Sequence, residues 1–448
     1  MKKLALALTA LVALFPACLS AEELNLLDNQ QPTIIDERES LTNLGRAEGY
    51  TGEAFNQNRS GFLHPFLSLE GYHTDNLFNT DKNEESDYAY VVSPGIWAAL
   101  PATRQRLIQI DTLSNAPGGL EVSRFRTESQ RRFQGYGLYR ADIINYKDNS
   151  EKDHTNQTAE ALLNVNLRGG LSFELLDIFK ISHDEFNSGD SAATALDKFH
   201  SNLVDGLVAY RISSKLTIRG GYSIYDLDYR ADRNDYRDRT DNTYSGYIFY
   251  KLTPKLTPFV QYEHIAIDYD EILQSDSEED NFFIGLEWSV SEKSRGRLKA
   301  GYGEKDFDDN AIGSHDDFIG EVQFDHSFTP KTSVYLRAVH RTYATDVQGT
   351  RDVLSDRVSF SYRQKLRPKL LAKILLSYVN DAYDGEITIG PKTAEREDET
   401  YRLNFEMGYS LQRWLNVSAG YECKRRDSNF STEEYSANIV FLNITAAL

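Results

Sequence analysis

The side chains best placed to act together are basic residues of the second half of the chain: Arg297, Lys299, Arg337, Arg341, Arg357, Arg363, Lys365, Lys373, Arg402 and Lys424. Each falls out of phase with the apolar residues of an alternating stretch, which puts it on the polar face of a strand whose other face is apolar. Glu287, Glu321, Asp325, Glu406 and Glu422 share that face. The wall is therefore basic on balance, although the whole protein carries a formal net charge of -19. Two readings are open. The charges pair across strands and keep a water-filled interior wet, or the arginines form a ladder whose field guides an anionic solute or polymer, the planar guanidinium fork matching a carboxylate. Glu70, Asp142, Glu160 and Asp205 oppose the ladder from the first half.

Other chemistry finds little support. The histidines (His64, His73, His154, His183, His200, His264, His315, His326 and His340) are scattered, and none pairs with another at metal-ligand spacing. No Gly-x-Ser-x-Gly elbow is present. Asp226 and Asp228, or Asp306, Asp308 and Asp309, offer hard oxygen ligands without the spacing of a calcium loop, and a solvated surface bridged to lipopolysaccharide by divalent cations suits them better. With Cys18 in the leader and Cys423 alone beyond it, neither a disulfide within the mature chain nor a cysteine zinc site can form. We expect no catalytic residue, no metal site and no cofactor. The acidic balance also argues against nucleic acid as a partner.

The elements that must position the basic wall are strands. Leu286, Trp288 and Val290 alternate with Glu287 and Ser289, and Val322 and Phe324 alternate with Glu321, Gln323 and Asp325. Tyr222, Tyr262 and Tyr302 recur at a constant 40-residue spacing. Between them the chain repeats a short lysine turn (Ser213 to Leu216, Thr253 to Leu256, Ser291 to Ser294) and a long acidic loop (226–242, 268–280, 306–317). A soluble solenoid or propeller can also repeat at about this period. Short turns at one end, long polar loops at the other and the two chain ends favour an all-β, transmembrane, antiparallel outer-membrane β-barrel, lipid outside and water inside. Alternation predicts about 18 strands: 62–75, 87–100, 132–146, 158–168, 171–183, 200–212, 215–229, 242–252, 256–270, 281–290, 296–306, 317–328, 332–344, 355–366, 369–382, 399–411, 414–426 and 435–448. An even count places both termini and the lysine turns in the periplasm, with the acidic loops outside.

Residues 1–21 read as a secretory signal, with Lys2 and Lys3 ahead of an apolar run and small residues around Ala21. Residues 22–61 read as a polar periplasmic segment, and 62–448 as one barrel domain, since no linker divides the alternation. Pro101 to Arg131 is irregular and falls by parity on the periplasmic side. The chain ends Val440, Leu442, Ile444, Ala446, Leu448, apolar at alternate positions, as in the signal by which barrels engage their insertion machinery, with Leu in place of the usual Phe.

The stretch Phe66-Leu67-Ser68-Leu69-Glu70-Gly71-Tyr72-His73-Thr74-Asp75-Asn76-Leu77-Phe78, followed by Val92-Ser93-Pro94-Gly95-Ile96-Trp97-Ala98-Ala99-Leu100-Pro101, resembles the start of the putative β-barrel porin type 2 family. The likeness continues to Arg426-Asp427-Ser428-Asn429-Phe430-Ser431. It implies a role in secretion of an exopolysaccharide, with the polymer and export proteins as partners beside outer-membrane lipid and lipopolysaccharide. A general diffusion porin for small, anionic solutes is the alternative. The resemblance carries no set of functional residues.

Overall fold

The computed structural model describes residues 62–100, 132–187, 194–271, 274–291, 293–309, 313–345 and 347–447. The signal (1–21), the periplasmic segment (22–61) and the irregular stretch 101–131 lie outside the described residues.

The first nine strands are β1 (Leu63–Thr74), β2 (Asp87–Leu100), β3 (Phe133–Tyr146), β4 (His154–Asn166), β5 (Leu171–His183), β6 (Lys198–Arg211), β7 (Leu216–Tyr229), β8 (Arg239–Tyr250) and β9 (Leu256–Tyr269). The second nine are β10 (Ser277–Ser291), β11 (Ser294–Phe307), β12 (Ser314–Thr329), β13 (Thr332–Ala344), β14 (Asp352–Arg367), β15 (Leu370–Ile389), β16 (Lys392–Gln412), β17 (Leu415–Ser428) and β18 (Tyr435–Ala447). They form one 18-stranded sheet in chain order, and β1 pairs antiparallel with both β2 and β18, which closes the barrel. Closure leaves no sheet edge, so every strand finds ladder partners inside the bilayer.

The lysine turns close by a repeated device. In Ser213, Thr253, Ser291 and Thr329 the hydroxyl oxygen accepts the amide of the lysine two residues on, at 3.1–3.3 Å. This fixes a tight turn in which a Ser or Thr precedes the bend. The carbonyls of Lys215, Lys255, Lys293, Lys331 and Lys369 then accept amides of Lys251, Ser289, Ser327, Lys365 and Ser410 from the next hairpin.

Alternation sorts the two faces as expected. On β10, Phe282 and Ile284 are exposed on the outer face while Glu279, Asn281 and Phe283 are buried on the inner one. The 40-residue tyrosine repeat marks one latitude of the outer face. Tyr222 pairs with Tyr244, Tyr262 with Phe282 and Phe282 with Tyr302, all exposed, which makes an aromatic girdle toward the long-loop end. Tyr262 donates to Asp280 and Tyr222 to Asn242, so the ring bodies meet lipid and the hydroxyls meet polar groups beyond it.

Four strand ends differ from the expectation by four residues or more. β4 begins at His154 and β10 at Ser277, each four residues earlier, because polar residues extend a ladder as readily as apolar ones beyond the membrane. The expected loop between 382 and 399 is a hairpin: β15 runs to Ile389 and β16 starts at Lys392, with Gly390 at φ 60° in the turn. A bulge between Ala382 and Glu386 shifts the phase. Ile387 then packs with Val347 and Phe430 rather than with lipid.

Candidate channel constriction

All the basic residues assigned to the wall fall on the inner face, and the register aligns them. Arg337 is opposite Gln323 and Ser359, Ser359 opposite Ser377, Ser377 opposite Arg402, and Arg402 opposite Lys424, one row across β12 to β17. They do not form an open ladder. Lys299 lies 3.2 Å and Arg337 3.4 Å from Glu321, Lys373 lies 3.8 Å from Glu406, and Arg297 lies 3.7 Å from Glu287. Arg341 reaches both Glu263 (2.8 Å) and Glu279 (3.1 Å), bridging β13 to β9 and β10 along the inner wall. Arg357 donates to Ser355 and lies over the Tyr343 ring. Arg363 stands opposite Lys373, with Lys365 two residues further along β14. Of the two readings, paired charges describe most of this wall.

Arg402 and Lys424 are the exception in kind, because they share a partner from outside the sheet. Lys424 Nζ is hydrogen-bonded to Glu185 Oε2, and Arg402 lies 4.0 Å from Glu185 and 3.6 Å from Glu422. Glu185 belongs to the connection between β5 and β6, while Arg402 and Lys424 are on β16 and β17, with β18 and β1 to β4 intervening around the barrel. A loop from one wall therefore reaches the inner face of another.

Several contacts fix that loop. Asn79 donates from Nδ2 to Phe186 O at 3.0 Å, and Asn187 donates from Nδ2 to Asn79 O at 2.7 Å, a reciprocal latch between the β1–β2 and β5–β6 connections. Both asparagines are left-handed, at φ 52° and 55°, a conformation Asn tolerates better than most residues. Arg426 donates to Asn187 O at 3.2 Å. Phe186 meets Phe78 edge-on at 5.0 Å and is buried with Leu77, Tyr72, Tyr146 and Phe441. From the next connection, Arg237 in the 3-10 turn Asp232–Arg237 pairs with Asp184 at 3.0 Å.

The loop supplies one carboxylate, Glu185, in direct contact with the cations of the β16–β17 wall, while its neighbour Asp184 is held by Arg237. Such an arrangement sets up a field transverse to the pore axis, strengthened by the low-dielectric wall, and a polar or charged solute must orient in it to pass. Beside it lies a cavity of about 120 Å³ bounded by Tyr72, Asn76, His154, Asn156, Glu185 and Arg402. Sequence reasoning found Arg402 and Lys424 by alternation but missed Glu185 and Asp184. The available signal was Phe186, a large apolar residue between Glu185 and Asn187, which needs a buried site to pack into.

The family model described as "Putative beta-barrel porin 2" matches residues 132–448. The chain belongs to that family. The family match covers β3 to β18, and β1 and β2 complete the same barrel. No curated protein matches the sequence. Among solved structures, OccK2 (OpdF) of Pseudomonas aeruginosa in complex with glucuronate is similar at 9% identity, covering 87% of this chain and 100% of its own, with a TM-score of 0.43. OccK3 (OpdO) of the same organism is similar at 14% identity, covering 89% and 98%, with a TM-score of 0.40. The outer-membrane protein OpdK, also from P. aeruginosa, shares 10% identity over 86% and 99%, with a TM-score of 0.41. The protein is a bacterial outer-membrane β-barrel of porin type.

Proposed function

We propose that the protein is a diffusion channel for small hydrophilic solutes, gated in size and charge by the β5–β6 connection, rather than a conduit for an exopolysaccharide. The observation that carries this reading is the bridge from Glu185 to Lys424 and Arg402, which holds a loop against the inner face of strands well around the barrel. A polymer passing in extended form needs a continuous wide bore, whereas a monomeric solute needs only an aperture and weak, releasable contacts. The porin description of the family favours the same reading over polymer export. Balanced, paired charges along the wall suit polar solutes of either sign, with preference set at the loop.

The test is swelling of liposomes that contain the purified protein, in solutions of sugars of increasing size. A diffusion channel gives rates that fall steeply from pentose to trisaccharide. Liposomes that do not swell in any sugar, together with loss of surface polysaccharide when the gene is deleted, would replace this reading with the export one.

A further inference from the structure

We propose that the outer rim of the barrel carries a binding site for one divalent transition-metal ion, with His315, Asp352 and Asp384 as ligands and Asp317 as the residue that positions the imidazole. The site depends on rim geometry alone and not on which solute the channel passes.

The backbone creates the place. The β12–β13 ladder stops at Gly320–His340, so above that point Ser314 to Ile319 pair only with β11, and Arg341 to Ala344 only with β14. His315 and Asp317 stand on one side of this split. On the other, Asp352 and Asp384 are direct cross-strand partners on β14 and β15, two like charges face to face, an arrangement that destabilises a ladder unless a cation lies between. Asp384 sits in the bulge of β15, with Gly385 at φ 122° beside it.

The donor atoms converge. His315 Nδ1 is 3.2 Å from Asp352 Oδ2 and 3.9 Å from Asp384 Oδ2, and one ligand atom from each residue lies within 4.8 Å of the others. Zinc bonds of about 2.0–2.1 Å in tetrahedral geometry imply ligand-to-ligand edges of roughly 3.4 Å, so small shifts bring all three to one ion. Asp352 is 1% exposed, and its Oδ2, the atom aimed at His315, accepts no hydrogen bond. A buried carboxylate oxygen left this way is costly unless a cation occupies the space before it.

The second nitrogen supplies an independent sign. His315 Nε2 lies 3.2 Å from Asp317 Oδ2, and Thr342 Oγ1 donates to that same oxygen. A carboxylate on one ring nitrogen fixes the tautomer that leaves the other nitrogen's lone pair for a metal, the arrangement usual around ligating histidines. Arg351 pairs with Asp384 through Oδ1, leaving Oδ2 toward the site. Lys305, from β11, is the other cation near Asp352. With Asp317, Asp352 and Asp384 set against Lys305 and Arg351, the group is net negative. One imidazole and two carboxylates suit Zn²⁺ or Mn²⁺ better than Ca²⁺, which takes six or more oxygen ligands. An ion here would staple β12 to the β14–β15 hairpin across the split.

The experiment titrates the tag-free, full-length folded protein in detergent with Zn²⁺ by calorimetry, and with Co²⁺ by visible absorption, folding being confirmed by heat-modifiable gel mobility. We expect one Zn²⁺ per chain and a tetrahedral Co²⁺ band. His315→Gln, a residue with a partly exposed side chain that should not disturb folding, should lower affinity by at least about tenfold and abolish the band. Asp317→Asn should weaken binding by roughly 10- to 100-fold while the band persists at saturation. Absence of stoichiometric uptake of Zn²⁺ and Co²⁺ in the native protein, or His315→Gln binding as the native protein does, overturns the site. Asp352→Asn gives a second reading where it folds, and where it does not the His315→Gln result decides.

Discussion

The ring of Phe441 on β18 fills the space that a side chain on Gly420 of β17, its register partner, would need: a Cβ there would stand 2.3 Å from Phe441 Cζ and 2.5 Å from Phe405 O. Phe66 with Gly95 and Phe259 with Gly285 repeat this pairing on the inner face, and Trp288 with Gly296 on the outer one. An aromatic ring covering a glycine on the next strand restores the packing the glycine lacks and pins the register.

Gly420→Ala should therefore destabilise the barrel by about 1–3 kcal/mol through overpacking. Combining it with Phe441→Leu should recover part of the loss, because the smaller side chain relieves one of the two clashes. The measurement is the guanidinium unfolding midpoint in lipid for both single variants and the double. Strict additivity would mean the two residues do not interact.

Much of this architecture is legible in the sequence because a barrel obeys a rule with period two. Trp288, Leu286 and Val290 declare the lipid face by alternation alone, and the lysine turns at Lys215, Lys255, Lys293 and Lys331 announce themselves by the Ser or Thr two residues ahead. The β15–β16 hairpin is not legible, since the bulge at Ala382 to Glu386 breaks the phase and Ile387 packs onto neighbouring loops instead of lipid. A reader of alternation sees only a charged stretch there.

The face assignment has a direct test at Ile284, in the middle of β10, outward and 75% exposed. Ile284→Arg should cost roughly 2–4 kcal/mol near the bilayer midplane. Ser361→Arg, on the inner face of β14, should cost much less because a guanidinium there stays among polar groups. Folding equilibria in vesicles compare the two, and equal losses would show that β10 and β14 are not registered as described.

At the constriction, the charge of Glu185 offsets Lys424 and Arg402. Glu185→Gln should make the pore more anion-selective, and Lys424→Gln with Arg402→Gln should move it toward cations. Reversal potentials across a planar bilayer under a salt gradient report the shift. Both effects should shrink in 1 M salt, where the Debye length falls to about 3 Å. Opposite variants that leave selectivity unchanged would place the conduction path elsewhere.

The candidate sites were less legible than the fold because each is assembled from distant chain segments. Glu185 meets Lys424 across the barrel, and His315 meets Asp352 and Asp384 across a split between strands. Spacing along the chain shows ligands borne on one helix or one loop. It does not show ligands that a closed sheet carries to a common rim.

The last expectation concerns pH and the outer β7–β8 connection. Asp238 lies outside the strands, and its Oδ1 accepts the Tyr229 amide at 2.6 Å. Burial, reinforced by repulsion from Asp228, Asp235 and Asp270, pushes its carboxyl up from 3.8 to about 6, even though the Tyr229 hydrogen bond pulls the other way. A carboxyl raised on folding binds its proton more tightly in the folded state. Its contribution to stability is therefore full below the unfolded value of about 4 and is lost as pH rises through about 6. Hydrogen exchange of residues 230–238 should show a more stable connection at pH 5 than at pH 7.5, after correction for the intrinsic rate. Asp238→Asn keeps an acceptor for Tyr229 and removes the titrating charge, so its protection should vary less over the same window. An Asp238→Asn variant whose protection changes with pH as the native protein's does would assign the effect to the neighbouring aspartates instead.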